Sequence, residues 1–80
     1  MIEAKIFGVK NCSNEAIMLE AANVEELLSR ICENFKAADI NEIRSCAVII
    51  NNEYVTAQER SKTELKDGDD VLLLMPIIGG

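Results

Sequence analysis

The sequence predicts an α+β fold in which one main helix covers a mixed β-sheet, with the element order β-β-α-β-β-β. Three observations predict it: a segment in which apolar and polar residues alternate, a segment with apolar residues at helical spacing, and two short apolar runs bounded by turn residues. A length of 80 residues allows one domain with a limited core.

The chain begins with a predicted hairpin. Near the start of residues 2–9 every second side chain is apolar, which is typical of a half-buried strand. Residues 10–14 predict a turn, because Asn and Ser side chains hydrogen-bond their own backbone. Residues 15–20 are then the returning strand, so the first two strands are neighbours in the sheet.

A helix is predicted to begin after Asn23, a residue type favoured at the N-cap. Glu26 stands three residues later, where its side chain can complete a capping box. Apolar residues recur on one face at helical spacings: Val24, Leu27, Leu28, Ile31, Cys32 and Phe35. Polar residues such as Glu25 and Glu33 fall on the opposite face. The helix therefore needs a sheet to cover its apolar face.

A second hairpin is predicted in the middle of the chain. Residues 46–50 are a continuous apolar run, short enough to be a strand buried on both faces. Asn51 and Asn52 then provide a tight turn, because Asn tolerates positive φ, and residues 54–56 return. Between the main helix and this hairpin, residues 36–45 are mostly polar, with apolar spacing for one short helical turn.

The last strand is predicted at residues 71–75, which are apolar enough to lie at the centre of the sheet. A strong turn signal at residues 66–70 precedes it, with Gly68 free to adopt positive φ. Pro76 has no N–H to donate and should end regular pairing. Leu65 is expected to pack into the core.

Charge and hydropathy exclude two classes of partner. Fourteen acidic and eight basic residues give a net charge of −6, which argues against binding to nucleic acid. The longest apolar runs, residues 46–50 and 71–75, have five residues each and are far too short to span a membrane, and we expect no secretion signal at the N-terminus. The acidic charge either favours a partner with a basic surface or serves only solubility. We expect a cytoplasmic protein.

The cysteine pattern predicts free thiols. The chain has three cysteines, Cys12, Cys32 and Cys46, an odd number separated by twenty and fourteen residues. A plant-type iron–sulfur cluster needs four thiolates with three of them closely spaced, so this pattern does not fit one. Cys32 and Cys46 are expected to be small core residues, and Cys12 to lie in an exposed turn without activation.

The sequence gives little support for catalysis by the common enzyme mechanisms. The chain has no histidine, which excludes a Ser-His-Asp triad and an imidazole base. Asp67, Asp69 and Asp70 are expected to form a turn and not a metal site, because calcium loops need more oxygen ligands at fixed spacing.

The two terminal glycines, Gly79 and Gly80, are the clearest candidate functional feature. A Gly-Gly end would occur by chance in roughly 0.5% of chains, taking Gly at about 7% of residues. Without side chains it can lie extended in a narrow channel and present its carboxylate there. The five residues after Met75 reach at most about 16–18 Å, and Ile77 and Ile78 would anchor them in apolar pockets.

The C-terminal third resembles the MoaD/ThiS family of prokaryotic sulfur carriers. The resemblance is carried by the runs Leu65-Lys66-Asp67-Gly68-Asp69-Asp70-Val71 and Pro76-Ile77-Ile78-Gly79-Gly80. It extends more weakly to the whole chain through the order of elements and the hairpin at residues 51–55. The resemblance implies a β-grasp (ubiquitin-like) domain over residues 1–76 and a flexible tail at residues 77–80.

The resemblance also implies a mechanism. An adenylating partner of the ubiquitin-activating (E1-like) type, MoeB or ThiF in this family, uses ATP and magnesium to convert the carboxylate of Gly80 to an acyl-adenylate. Sulfur then replaces AMP and leaves a thiocarboxylate. Gly79 allows entry to the active site, while Pro76, Ile77 and Ile78 contact the partner. The carrier itself binds no cofactor or metal and acts as a co-substrate, with no catalytic site of its own.

Within the family, the pattern Pro-x-x-Gly-Gly is similar to the small subunit of molybdopterin synthase. There the tail enters the large subunit (MoaE type) and donates sulfur to the molybdopterin precursor. We expect two contact surfaces, the exposed side of the sheet and the tail. Three alternatives stay open: a carrier for thiamine or another pathway, a ubiquitin-like modifier conjugated through Gly80, and an interaction module whose tail is incidental.

Overall fold

A computed structural model describes residues 1–9, 12 and 16–75. The helices and strands are β1 (Ile2–Phe7), β2 (Ile17–Leu19), α1 (Val24–Asn34), α2 (Ile40–Ser45), β3 (Ala47–Ile50), β4 (Glu53–Val55), a 3-10 turn (Ala57–Glu59) and β5 (Asp70–Leu74). The predicted order β-β-α-β-β-β is confirmed, and α2 is the short helical turn expected before the second hairpin. The predicted turn at residues 10–14, apart from Cys12, and the predicted tail with Pro76 lie outside the described residues.

The five strands form one mixed sheet in the order β2-β1-β5-β3-β4. β1 and β5 run parallel, whereas the other neighbouring strands are antiparallel. Leu73 of β5 is in register with Ile6 on one side and with Val48 on the other. The prediction that the last strand lies at the centre of the sheet is therefore confirmed.

The start of α1 is capped much as the sequence predicts. The side-chain oxygen of Asn23 accepts a hydrogen bond from the backbone N–H of Glu26 at 2.8 Å. The carboxylate of Glu26 accepts from the backbone N–H of Ala22 at 3.3 Å, one residue earlier than a standard capping box. Both bonds satisfy N–H groups that have no partner inside the helix. With eleven residues α1 is too short to cross a membrane, and no other helix in the described part of the chain qualifies.

The core lies between α1 and one face of the sheet. Four side chains of α1 are fully buried: Val24, Leu27, Leu28 and Ile31. They form one hydrophobic cluster with inward-facing residues of the three central strands: Ile2, Ala4, Ile6, Val48, Ile50, Val71 and Leu73. Leu65 joins this cluster, as expected. The predicted apolar stripe of the helix is thus confirmed.

Within residues 1–9, 12 and 16–75, no helix covers the second face of the sheet. β3, predicted to be buried on both faces, instead alternates: Val48 and Ile50 are buried, while Ala47 and Ile49 are only half-buried. The prediction is wrong because the helices of the described chain pack on one face alone. A run of apolar residues cannot by itself distinguish a strand with two covered faces from one with a single covered face.

Two turns follow the predicted backbone conformations. Asn51 and Asn52 have φ values of 49° and 72°, and Gly68 has a φ of 90°. The side chain of Asn51 also donates to the carboxylate of Asp69 and accepts from the backbone N–H of Asp70, both at 3.0 Å. The hairpin of β3 and β4 is therefore tied to the beginning of β5.

The polar side of α1 is joined to α2. Arg44 of α2 pairs with the carboxylate of Glu25 and donates to the Ser29 hydroxyl at 3.3 Å. Arg60 in turn donates to the backbone oxygens of Arg44 and Cys46 at 2.7 and 2.8 Å. These bonds hold the end of α2 at the point where β3 begins.

The buried stripe of α1 yields a stability prediction. Leu28→Ala removes a fully buried side chain and should lower the free energy of unfolding by about 2–5 kcal/mol. The control is Glu33→Gln, an exposed position on the same helix, which should change it by less than about 0.5 kcal/mol. Urea titration of both variants measures the difference. Equal losses would show that the wrong face of α1 is placed inward.

Candidate functional site

The five residues that the sequence nominated for function, Pro76, Ile77, Ile78, Gly79 and Gly80, lie outside the described residues. The structure locates the point from which they start. Met75 is the last described residue, and its backbone N–H donates to the Phe7 oxygen at 3.0 Å. Its half-buried side chain packs against the core.

The tail starts from the most constrained strand of the sheet. Leu74, the last residue of β5, is in register with Phe7 of β1 and with Ala47 of β3. The strand is thus held by backbone hydrogen bonds on both sides almost to its end. Paired central strands belong to the least mobile parts of a fold. The base of the tail therefore has a defined position relative to the sheet.

Beside this point lies the uncovered side of the sheet, here called the open face. Strand register places ten residues on it: Glu3, Lys5, Phe7, Met18, Ala47, Ile49, Tyr54, Asp70, Leu72 and Leu74. Several large apolar side chains among them are exposed, with 57% of Met18 and 65% of Tyr54 accessible to solvent. Exposed apolar side chains grouped on one face of a sheet are a candidate contact site in soluble proteins.

The open face has an apolar end and a charged end. Phe7 and Leu74 lie side by side next to the base of the tail, exposed by 37% and 36%. At the opposite end the carboxylates of Glu3 and Asp70 are in register on neighbouring strands. A shallow pocket of about 340 Å³ opens at that charged end. The apolar end is therefore the part that adjoins the tail.

Sequence reasoning expected the exposed side of the sheet to contact a partner but did not name its residues. The sequence of β1 contains a signal for this face. Glu3, Lys5 and Phe7 occupy alternate positions on the side of the strand away from the core, and Phe7 is the apolar one. In β5, Leu72 and Leu74 likewise alternate with buried residues. An apolar residue at a position where the alternation predicts an exposed side chain therefore indicates such a face.

Asp67 and Asp69 lie in a turn, as predicted, whereas Asp70, also expected in the turn, is the first residue of β5. The Asp69 carboxylate accepts from the Lys66 backbone N–H at 2.8 Å and from the Asn51 amide at 3.0 Å. These hydrogen bonds, the one from Lys66 first, hold the pKa of Asp69 below its ordinary value. Across residues 1–9, 12 and 16–75, no three His, Cys, Asp or Glu side chains come together as a metal site.

The three cysteines are free thiols, as expected. Cys46 is fully buried, and loss of solvation, with a smaller effect of nearby Cys12, raises its pKa to about 11. Cys32 is half-buried; Cys12, expected to be exposed, is half-buried as well, and desolvation raises the pKa of both thiols. Because a protonated thiol is a poor nucleophile, burial makes Cys46 a weak nucleophile at neutral pH.

Comparison with known proteins identifies relatives of the whole chain. The sequence profile of the ThiS family matches residues 4–80. A molybdopterin synthase sulfur carrier subunit from Chlamydomonas reinhardtii is 38% identical over 61 residues, 76% of this chain and 70% of that protein.

A similar structure exists in a complex of subunits 1 and 2 of the molybdopterin-converting factor from Helicobacter pylori 26695. One chain of that complex superposes with a TM-score of 0.67 and 26% identity, over 99% of this chain and 97% of its own length. With the mixed sheet and its single main helix, this similarity confirms the predicted β-grasp fold.

The thiol environments yield a reactivity prediction. A rise in the pKa of Cys46 from 9.0 to about 11 leaves it roughly one hundredth of the thiolate of an unperturbed thiol near neutral pH. Iodoacetamide at pH 8 should therefore leave Cys46 unmodified in the folded protein and modify all three cysteines in urea. Peptide mass mapping measures this. Rapid alkylation of Cys46 in the folded protein would contradict its buried placement.

Proposed function

The chain belongs to the ThiS family of sulfur carriers, and we propose that it serves as the small subunit of a molybdopterin synthase, with the carboxylate of Gly80 as the sulfur-bearing group. The observation that carries this proposal is the position of Met75. A central strand brings the chain to the apolar end of the open face, so the tail begins beside the surface on which a partner can dock. The family match extends to residue 80 and so includes both glycines.

The proposed chemistry takes place at Gly80 and needs an activating enzyme of the MoeB or ThiF type with ATP and magnesium. The Gly80 carboxylate attacks the α-phosphorus of ATP, pyrophosphate leaves, and an acyl-adenylate forms. A sulfur donor at the level of hydrosulfide then adds to the carbonyl carbon, and AMP leaves. The product is a thiocarboxylate, a soft nucleophile that stays attached to a protein. Activation is required because a free carboxylate resists nucleophilic attack.

The reach of the tail dictates how the carrier binds. Five residues beyond Met75 span at most about 16–18 Å. A partner's active site must therefore lie within that distance of the open face. We propose that Phe7, Leu74 and their apolar neighbours pack on the partner while Ile77 and Ile78 fill pockets along the channel. Docking and insertion then form one continuous contact.

Electrostatics support the same arrangement. The net charge of −6 and the carboxylates of Glu3 and Asp70 on the open face favour a partner with a basic rim. Such complementarity acts mainly on the rate of encounter, so added salt should slow association more than dissociation. The free thiols suit a reducing compartment, and we propose a cytoplasmic location.

A second candidate is a carrier for thiamine or another sulfur-requiring pathway. The same tail and activation chemistry would serve it, and the match to the ThiS family supports both candidates equally. The 38% identity to a molybdopterin synthase sulfur carrier subunit favours the molybdopterin pathway. The alternative of protein conjugation would require an isopeptide bond from Gly80 to a lysine.

The proposed role of the tail is tested by removing its last residue or by adding a side chain to it. Deletion of Gly80 or the substitution Gly79→Val should abolish formation of the acyl-adenylate, because the carboxylate is withdrawn or a side chain blocks the channel. Urea midpoints should match the unaltered protein, since both residues follow the last buried strand. ATP–pyrophosphate exchange with the activating enzyme measures the first effect. A shortened chain that still accepted AMP would refute the mechanism.

The proposed docking face is tested by a matched pair of exposed apolar residues. Phe7 lies on the open face, whereas Ile40, which is 55% exposed, lies on α2. Phe7→Ser should weaken binding to a molybdopterin synthase large subunit by about tenfold or more. Ile40→Ser should leave the affinity unchanged. Calorimetric titration at two salt concentrations measures both variants.

The same titration separates the two pathways when a thiazole synthase is included as a second partner. Preferential binding of the unaltered protein to thiazole synthase would overturn the assignment to molybdopterin synthesis. Equal effects of Phe7→Ser and Ile40→Ser would show that the open face is not the docking surface. Association rates that do not change with salt concentration would contradict the proposed electrostatic contribution to association.

A further inference from the structure

We infer that Gly8 is a positioning residue for activation of the Gly80 carboxylate, because the absence of a side chain at residue 8 lets Met75 lie against it and so sets where the tail leaves the sheet relative to the open face. The inference rests on the proposed function and adds to it a residue outside the tail. Gly8 follows Phe7 directly and has a φ of 85°, which ends β1 two residues before the predicted end of the strand. An L-residue with a side chain rarely adopts this conformation.

The space beside Gly8 is occupied by the base of the tail. A Cβ atom on residue 8 would lie 3.0 Å from Cβ of Met75 and 3.7 Å from the backbone N and O of Met75. Carbon atoms in favourable contact are about 3.5–4.0 Å apart, so any side chain here would press on Met75. The atom pressed upon is attached directly to the backbone and cannot rotate away as the end of a side chain can.

Met75 has little freedom to yield except by moving its backbone. Its N–H is bonded to the Phe7 oxygen at 3.0 Å, and its side chain packs against the core. Relief of the contact would therefore shift the backbone of Met75 by a few tenths of an ångström and disturb the last bond between it and β1. Phe7 and Leu74, immediately before Gly8 and Met75, are part of the docking face.

Such a shift matters because the tail is short. Gly80 must reach a partner's active site through at most about 16–18 Å of extended chain, while Phe7 and Leu74 hold the domain on the partner's surface. A displacement at Met75 moves the point from which the carboxylate must reach that site. Misplacement of a reacting group by about 1 Å can cost roughly a hundredfold in rate, so a few tenths of an ångström should cost about tenfold.

The chain contains a matched control for the backbone strain. Gly68 has a φ of 90°, nearly the same as Gly8, but a Cβ atom there would have no neighbour within 4 Å. Alanine at either position carries the same conformational cost. Only alanine at position 8 also presses on the tail. The difference between the two variants isolates the contact with Met75.

The experiment compares G8A and G68A with the unaltered protein in single-turnover adenylation by the activating enzyme. We expect both variants to lose similar stability in urea and to keep their affinity for the enzyme. The rate at saturating enzyme should fall about tenfold for G8A and stay unchanged for G68A. If G8A does not fold, Gly8→Asn replaces it, because Asn tolerates positive φ while retaining Cβ.

A rescue variant makes the test specific. Adding Met75→Gly to G8A removes the Cβ atom that residue 8 would meet, and should restore most of the lost rate; adding Met75→Ala retains that Cβ and should not. An unaltered rate in G8A, equal losses in G8A and G68A, or equal rates in the two double variants would each overturn the role of Gly8. Failure of the unaltered protein to accept AMP would instead overturn the proposed function.

Discussion

The structure depends on the pairing of β5 between β1 and β3. This strand joins the N-terminal hairpin to the later half of the chain, and Leu73 at its middle is fully buried. Hydrogen bonds from the Asn51 region fix its beginning, and the bond from Met75 to Phe7 fixes its end. Because backbone groups in a central strand are satisfied on both sides, the strand is costly to displace. The fold thereby holds the start of the tail in place.

The second constraint is that the helices of the described residues cover only one face of the sheet. α1 buries its apolar stripe against that face, which completes the core, and the described residues place no second layer on the other. The open face therefore keeps Phe7, Leu74 and Tyr54 partly in water. The exposed area of these side chains adds nothing to the stability of the isolated domain, but its burial against a partner can supply binding energy. A rigid strand at the base of the tail and an open face beside it both suit the proposed role of a carrier that docks on a partner.

Local sequence patterns were sufficient to predict most of the fold. The cap and stripe of α1, the turn at Asn51 and Asn52 and the central place of β5 all follow from residue type and spacing. The exposure of one face of β3 could not be predicted, because a short apolar run does not reveal whether a second layer exists. The pairing of Glu25 with Arg44 joins residues far apart in sequence, and β1 ends early, at Phe7, where Gly8 adopts a φ of 85°. For the candidate site, the sequence and a family resemblance nominated the tail, whereas the full set of residues on the open face required the sheet register.

The central claim is that the Gly80 carboxylate is the group that carries sulfur, and intact-mass spectrometry tests it most directly. The protein would be isolated from its native host under conditions that preserve labile thioacids, and its C-terminal peptide fragmented. The account predicts a fraction of molecules heavier by the replacement of one oxygen by one sulfur, with the change located at Gly80. The same mass change located at Cys12, Cys32 or Cys46, or a Gly80 carboxylate that stays unmodified after incubation with activating enzyme, ATP, magnesium and sulfide, would contradict it.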